Sequence, residues 1–276
     1  MGDLELIFDG ALARIRFNAP ARRNALNRAT WRALPETCAT IAARAEALVV
    51  VVEGAGGHFS AGADIAEFDV VYRDADSTRD YVDAMQAGLA ALAALDRPTI
   101  AALQGSAIGG GLAIALSCDL RFAADGAHLA APPAKLGLVY GPVETRRLTD
   151  LVGPARAKDL LFSGRRVPPA EALAIGLVDR VVPATELRGA VESYADELAS
   201  LSQRSIRGAK RMIDAIAAGA PLNSPALRVE VEDAALGEDF REGRVAFAAK
   251  RPPRFTFRSA TPIPSSSAAK AARLER

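Results

Sequence analysis

Four consecutive valines stand in "LVVVVEG", Leu48 to Gly54. A strand with one wet face alternates apolar and polar residues, so an unbroken β-branched run marks a strand buried on both faces. "PTIAALQG" and "DLRFAAD" read the same way. Ahead of them, "LELIFDGALARIRFN" alternates on both sides of Asp9-Gly10, which predicts a hairpin. Helical spacing runs from about Asn27 to Ala47, with Asn27 as N-cap and Pro35 demanding a kink or a late start. Further helices are predicted over 81–95, 145–152, 154–162, 169–175 and 186–201, and the last third through Lys250 is almost wholly helical. Strands alternating with helices, followed by helices alone, give an α/β core with a helical C-terminal portion.

Composition narrows the function classes. Lys plus Arg number 34 against 33 for Asp plus Glu, so the 276-residue chain has no bulk attraction for nucleic acid or anionic membrane. Its longest apolar run falls well short of the roughly 20 residues that cross a bilayer. The N-terminus, "MGDLELIFDG", is acidic and lacks the build of a signal peptide, so a cytoplasmic protein is expected. Cys38 and Cys118 sit in apolar helical contexts and read as buried thiols, without a disulfide framework. There is no convincing internal repeat, and "SATPIPSSSAAKAARLER" from Ser259 reads as a mobile tail.

The chemistry-bearing candidates are few. "GSAIGGGLAIALSCD", Gly105 to Asp119, carries three glycines at the mouth of an apolar helix, each costing about 1 kcal/mol relative to alanine in a helix. The glycine spacing fits short-chain dehydrogenases, but it arrives after about a hundred residues instead of after the first strand. Those enzymes also need Tyr-x-x-x-Lys, and Tyr72, Tyr81, Tyr140 and Tyr194 are followed at that spacing by Asp76, Met85, Glu144 and Leu198. "GHFSAGAD" approaches a nucleophile elbow, but His58 stands where glycine is required two places before Ser60. "GAGG" at Gly54 to Gly57 lacks the Lys-Ser/Thr of a phosphate-binding loop, and no ligand spacing for a metal occurs, so no metal is expected.

Two strand-to-loop junctions remain, "VVVVEGAGGHFSAGADI" and "TIAALQGSAIGGGLAIALSCD". In each, a buried strand leads through small residues into a helix whose first amides have no internal partner. Two such mouths facing each other would aim two N–H groups at one oxygen, an oxyanion hole. Close strand–helix packing is the alternative explanation of either loop alone.

Together with "PARRNAL" at Pro20 to Leu26, these loops resemble the enoyl-CoA hydratase/isomerase family, the crotonase superfamily. The resemblance continues through "KLGL", "TRRLTDLVGPARAKDLLFSGRRVPPAEALAIGLVDRVVP" and "FREGRVAFAAKRPPRF" and spans nearly the whole chain. It implies a spiral of ββα units over residues 1–200, a C-terminal helical trimerisation region over 201–258, the tail 259–276, and a homotrimer or dimer of trimers. It implies an acyl-CoA thioester as substrate, with coenzyme A part of that substrate and no separate cofactor. By motif match, the amides of Ala63 and Gly110 hold the thioester oxygen as its enolate forms. The same match places CoA along Arg22, Asn24, Ala25 and Leu26, along Ala61, Asp64 and Ile65, and beside Gly109. Phe247 and Lys250 match residues that reach the adenine or phosphates of CoA, sometimes across a subunit boundary.

Hydratases of the family carry two glutamates, and their positions are occupied here by Ala113 and Pro133, neither of which transfers a proton. Efficient two-glutamate hydration is therefore not expected. Tyr140 matches a tyrosine of the relatives that decarboxylate methylmalonyl-CoA, and Glu144 stands near the acid of isomerases and dehalogenases, a few residues later. Each has a plainer reading, Tyr140 as a pocket wall and Glu144 as an acid favouring a helix N-terminus. A non-catalytic acyl-CoA-binding homologue is the rival from another class.

Overall fold

The computed structural model describes residues 2–258, so the tail expected from Ser259 lies outside the described residues. β1 (Leu4–Asp9) and β2 (Leu12–Phe17) form the predicted antiparallel hairpin, with Asp9 opposite Leu12. α1 (Arg28–Ala42) begins directly after Asn27, whose side chain accepts the Thr30 amide at 2.8 Å. It runs through Pro35 without the expected late start and stops at Ala42, short of Ala47. β3 (Val49–Gly54) follows, then the short α2 (Phe68–Val71) and the long α3 (Ala75–Ala93). Proline 35 leaves the carbonyl of Trp31 without its helical donor. Gly88 of α3 lies over that carbonyl so closely that a Cβ there would sit 3.1 Å from the oxygen.

The next turn of chain is β4 (Thr99–Leu103), β5 (Ser106–Ile108) and α4 (Gly110–Leu116), followed by β6 (Leu120–Ala124) and β7 (His128–Ala130). α5 (Pro142–Val152), α6 (Pro154–Ser163) and α7 (Pro169–Ala174) lead to β8 (Arg180–Val182) and α8 (Leu187–Ser200). Among the described residues one sheet has the order β1-β2-β3-β4-β6-β8, parallel from β2 onward. β5 and β7 pair in a second, two-stranded sheet. Isolated parallel bridges Leu26–Ala63 and Ser60–Ala107 and an antiparallel one, Leu129–Val167, extend this pairing into neighbouring turns. Each turn therefore spends one stretch in the main sheet, a shorter one in the second, and then a helix. The result is a spiral of ββα units.

The valine run shows why the main sheet is buried. Val50 and Val52 join the core cluster that includes Trp31, Leu34 and Leu89, whereas Val49 and Val51 face Leu187 and Val191 of α8. All four are 0% exposed. Each fully buried valine stabilises by roughly 1.5–3 kcal/mol, so β3 anchors both layers.

After α8 come α9 (Gln203–Ala217), α10 (Pro225–Leu236) and α11 (Glu238–Ala248). Lys210 fastens α9 to the spiral through Asp119 Oδ2 at 2.8 Å and the Arg97 carbonyl at 3.0 Å. Glu230 fastens α10 to α9 through Arg204 and Arg211. Among the described residues no helix is long and apolar enough to cross a membrane.

Candidate active site

The loop leaving β3 is stitched on both edges. Phe59 and Ser60 amides donate to Gln104 O and Ser106 O at 2.7 and 2.8 Å, and the Ile108 amide returns to Ser60 O at 3.1 Å. On the other edge, Leu26 N donates to Gly62 O at 2.7 Å and Asp64 N donates to Leu26 O at 3.0 Å. Extended backbone alternates the direction of its amides, so Ala63, between those two contacts, points its N–H the opposite way. That amide has no acceptor among the described residues.

Gly110 opens α4, and its N–H also lacks a protein acceptor among the described residues. The preceding Gly109 has φ +51° and ψ −113°, a backbone region essentially restricted to glycine. Gly62 brings the two loops together. A Cβ on it would stand 2.6 Å from Ile108 O and 3.5 Å from the Gly110 nitrogen. The remaining glycine, Gly111, lies against Ser60, whose carbonyl oxygen would be 2.7 Å from a Cβ at 111.

Both amides border a cavity of about 320 Å³ whose walls are mainly apolar. Trp31, Phe68, Tyr72, Tyr81 and Met85 supply one side; Pro132, Pro133, Leu136, Leu138 and Val139 supply the other. Ala113 and Pro133, the positions at which the resemblance implies glutamate in hydratases, both line it, and neither side chain can transfer a proton. Burial pushes the Tyr81 phenol up to about 12, and burial raises that of Tyr72 as well, so both are neutral at pH 7.

Tyr140 and Glu144 also meet here. The Tyr140 hydroxyl donates to Gly109 O at 3.0 Å, and burial, reinforced by Glu144, raises its pKa. Glu144 is 1% exposed and is the single carboxylate lining the cavity among the described residues. Its oxygens accept from Gln86 Nε2 at 3.2 and 3.0 Å. Gly141 admits the carboxylate, since a Cβ there would lie 2.6 Å from Oε2. Gln86 escapes sequence reasoning because its partner is remote in the chain; the one local signal is a polar residue bordering the apolar stripe of Tyr81, Met85, Gly88 and Leu89 on α3.

The side chains or amides of several other expected residues are engaged within the protein. Asn24 is buried with its side chain tied to loop backbone: Oδ1 accepts the Ala19 amide at 2.9 Å, and Nδ2 donates to Ala55 O and His58 O at 2.8 and 2.6 Å. Asp64 caps the 3-10 turn Ile65–Glu67 and pairs with Arg22, which also holds Asp3. Ala25 and Ala61 donate to Arg22 O and Arg23 O, at 3.1 and 2.9 Å, and Leu26 faces the core. Ala61 and Ile65 border the cavity. Phe247, 88% exposed at the end of α11, and Lys250 do not line it. Ser60 is no free nucleophile, because its hydroxyl donates to Asn24 O at 2.7 Å. His58 Nδ1 accepts the Ser106 amide at 3.2 Å.

A family profile described as enoyl-CoA hydratase/isomerase matches residues 8–258. A Mycobacterium tuberculosis protein named "Probable enoyl-CoA hydratase echA8" is 36% identical over 253 residues, covering 91% of this chain and 96% of that protein. The crystal structure of an enoyl-CoA hydratase/isomerase family protein from Hyphomonas neptunium superposes with a TM-score of 0.91 at 38% identity, covering 93% of this chain and 98% of the other. One from Magnetospirillum magneticum, described as an enoyl-CoA hydratase/carnithine racemase, gives 0.89 at 35%, covering 93% and 96%. Sequence and architecture agree across nearly all the described residues: the chain has the crotonase fold and belongs to the enoyl-CoA hydratase/isomerase family.

Proposed function

We propose that this protein is an acyl-CoA enzyme that stabilises a thioester enolate between the amides of Ala63 and Gly110 and moves protons with Glu144. The observation that carries this reading is two unpaired amides on touching loops, bordering an apolar cavity with one buried carboxylate. A single carboxylate is sufficient for allylic isomerisation. It takes the α-proton of a 3-enoyl thioester, the electron pair moves onto the thioester oxygen, and the same proton returns at the γ-carbon to give the 2-enoyl ester. Hydration requires a second group to activate water, and Ala113 and Pro133 cannot do so. Decarboxylation fits less well, because Glu144 would repel a substrate carboxylate and the Tyr140 proton is already engaged. CoA would lie along 22–26 and 61–65, and the reaction requires no cofactor beyond the CoA of the substrate. Exposed Leu236, Phe240 and Phe247 support the trimer or dimer of trimers expected for the family.

The test is exchange of α-protons of butyryl-CoA in D2O, followed by NMR, alongside conversion of 3-hexenoyl-CoA to its 2-enoyl isomer. Both should occur in the native protein and fall by about 10²–10⁴-fold in Glu144→Gln. Binding of butyryl-CoA without exchange would favour the non-catalytic homologue.

A further inference from the structure

Tyr140 is half-buried at the cavity wall, and its one proton is directed at protein backbone. It donates to the carbonyl oxygen of Gly109 at 3.0 Å. That carbonyl belongs to the same peptide unit as the Gly110 N–H. We infer that Tyr140 is a positioning residue, which holds and polarises the Gly109–Gly110 peptide so that its amide is a better donor to the thioester oxygen. This rests on the enolate-stabilising function proposed above for that amide.

A peptide unit is planar, so fixing its C=O fixes its N–H in the opposite direction. Gly109 is held at its own amide, which donates to Ala130 O at 2.8 Å, but it has no side chain to steady the peptide that follows. No atom lies within 4 Å of where its Cβ would be, and its φ of +51° gives it freedom that other residues lack. Its oxygen already accepts the Ala113 amide at 2.9 Å as the first helical bond of α4. Tyr140 adds a second donor to that oxygen. Hydrogen bonds on the carbonyl side of an amide polarise it and strengthen the N–H, by about 10–30% per bond in condensed phase.

Burial strengthens the case, because a phenol with a raised pKa remains a protonated donor across the working pH range. The same short segment, Tyr140 to Glu144, thus brings both a carboxylate and a hydrogen bond on the donor peptide to one cavity.

The measurement is infrared difference spectroscopy of butyryl-CoA carrying ¹³C at the carbonyl, bound to the native protein and to Tyr140→Phe. In the native protein the C=O stretch should move to lower wavenumber on binding. Tyr140→Phe should keep the dissociation constant within about threefold yet lose a clear part of that downshift. Site-specific 3,5-difluorotyrosine at position 140, a stronger donor of nearly the same shape, should deepen it. A full downshift in Tyr140→Phe, or no response to the fluorinated residue, would overturn the inference. Absence of any downshift in the native protein would instead overturn the enolate-stabilising function itself.

Discussion

Replacing each of the three glycines at the mouth of α4 with alanine should have three different outcomes, because each is bare for a different reason. At Gly111 the new Cβ would be 2.7 Å from Ser60 O and 2.8 Å from Ser60 Cβ. Ser60 cannot retreat, since its amide, carbonyl and hydroxyl are all hydrogen-bonded. Overpacking of this kind costs about 1–3 kcal/mol, here at the upper end, offset by about 1 kcal/mol of helix propensity. The net loss should be about 2 kcal/mol. At Gly109 there is open space, but φ +51° with ψ −113° strains an alanine by about 1–3 kcal/mol with no helical compensation. At Gly110 the contact is the Trp31 ring edge at 3.0 Å, which the propensity gain roughly cancels, leaving a change within about 1 kcal/mol. Trp31 is the sole tryptophan and borders the cavity, so its emission reports urea unfolding directly. Gly111→Ala as stable as Gly110→Ala would refute the steric reasoning, and Gly109→Ala at native stability would refute the conformational one.

Asn24→Ala removes three side-chain hydrogen bonds, two of them to the loop after β3, so unfolding free energy should drop by about 3 kcal/mol at about 1 kcal/mol each; a loss under 1 kcal/mol would show that water replaces the amide. Glu230 is held below the usual carboxylate range by the Arg211 hydrogen bond first; burial opposes this, and the charges of Arg211 and then Arg204 add to the lowering. Its stabilisation is therefore complete above its unfolded pKa of about 4.3 and is lost as pH falls through the lower folded value. The stability gap between native protein and Glu230→Gln should be constant from pH 7 to 5 and close below pH 4; a gap unchanged at pH 3 contradicts the pairing. Burial pushes the thiols of Cys38 and Cys118 up to about 12, so a disulfide reagent at pH 8 should label them only at the rate of unfolding. Rapid labelling of the folded protein would show that the burial is not maintained.

The sheet was readable because its central strands are long apolar runs with no competing period. β5, β7 and β8 were not: three residues each carry no alternation, and their pairing is imposed by the turns before and after them. The helix passes through Pro35 without a late start for a related reason. Tertiary packing of Trp31 and Leu34 against α3 outweighs one missing helical bond, which local propensity could not anticipate. At the site, the two small-residue loops were legible from the sequence, and they do lie against one cavity. What the side chains of Asn24 and Asp64 hold, loop backbone and a turn, had no signal in the sequence. The Gln86–Glu144 contact joins α3 to α5 across 58 positions, a distance over which periodicity says nothing.

Backbone donors have a hereditary consequence. A catalytic side chain is erased by a single codon change, but the N–H at position 63 survives replacement of Ala63 by any residue except proline, which has no amide hydrogen. The cavity walls enjoy no such immunity; they come from α1, α3, α4 and the stretch before α5, and each can be rewritten separately. If the two amides polarise a thioester as proposed, a lineage built this way can change the residues at 113 and 133 without losing that pair, and can place an acid elsewhere on the rim. Mutational drift in such a scaffold changes which reaction is completed sooner than it abolishes the capacity to begin one.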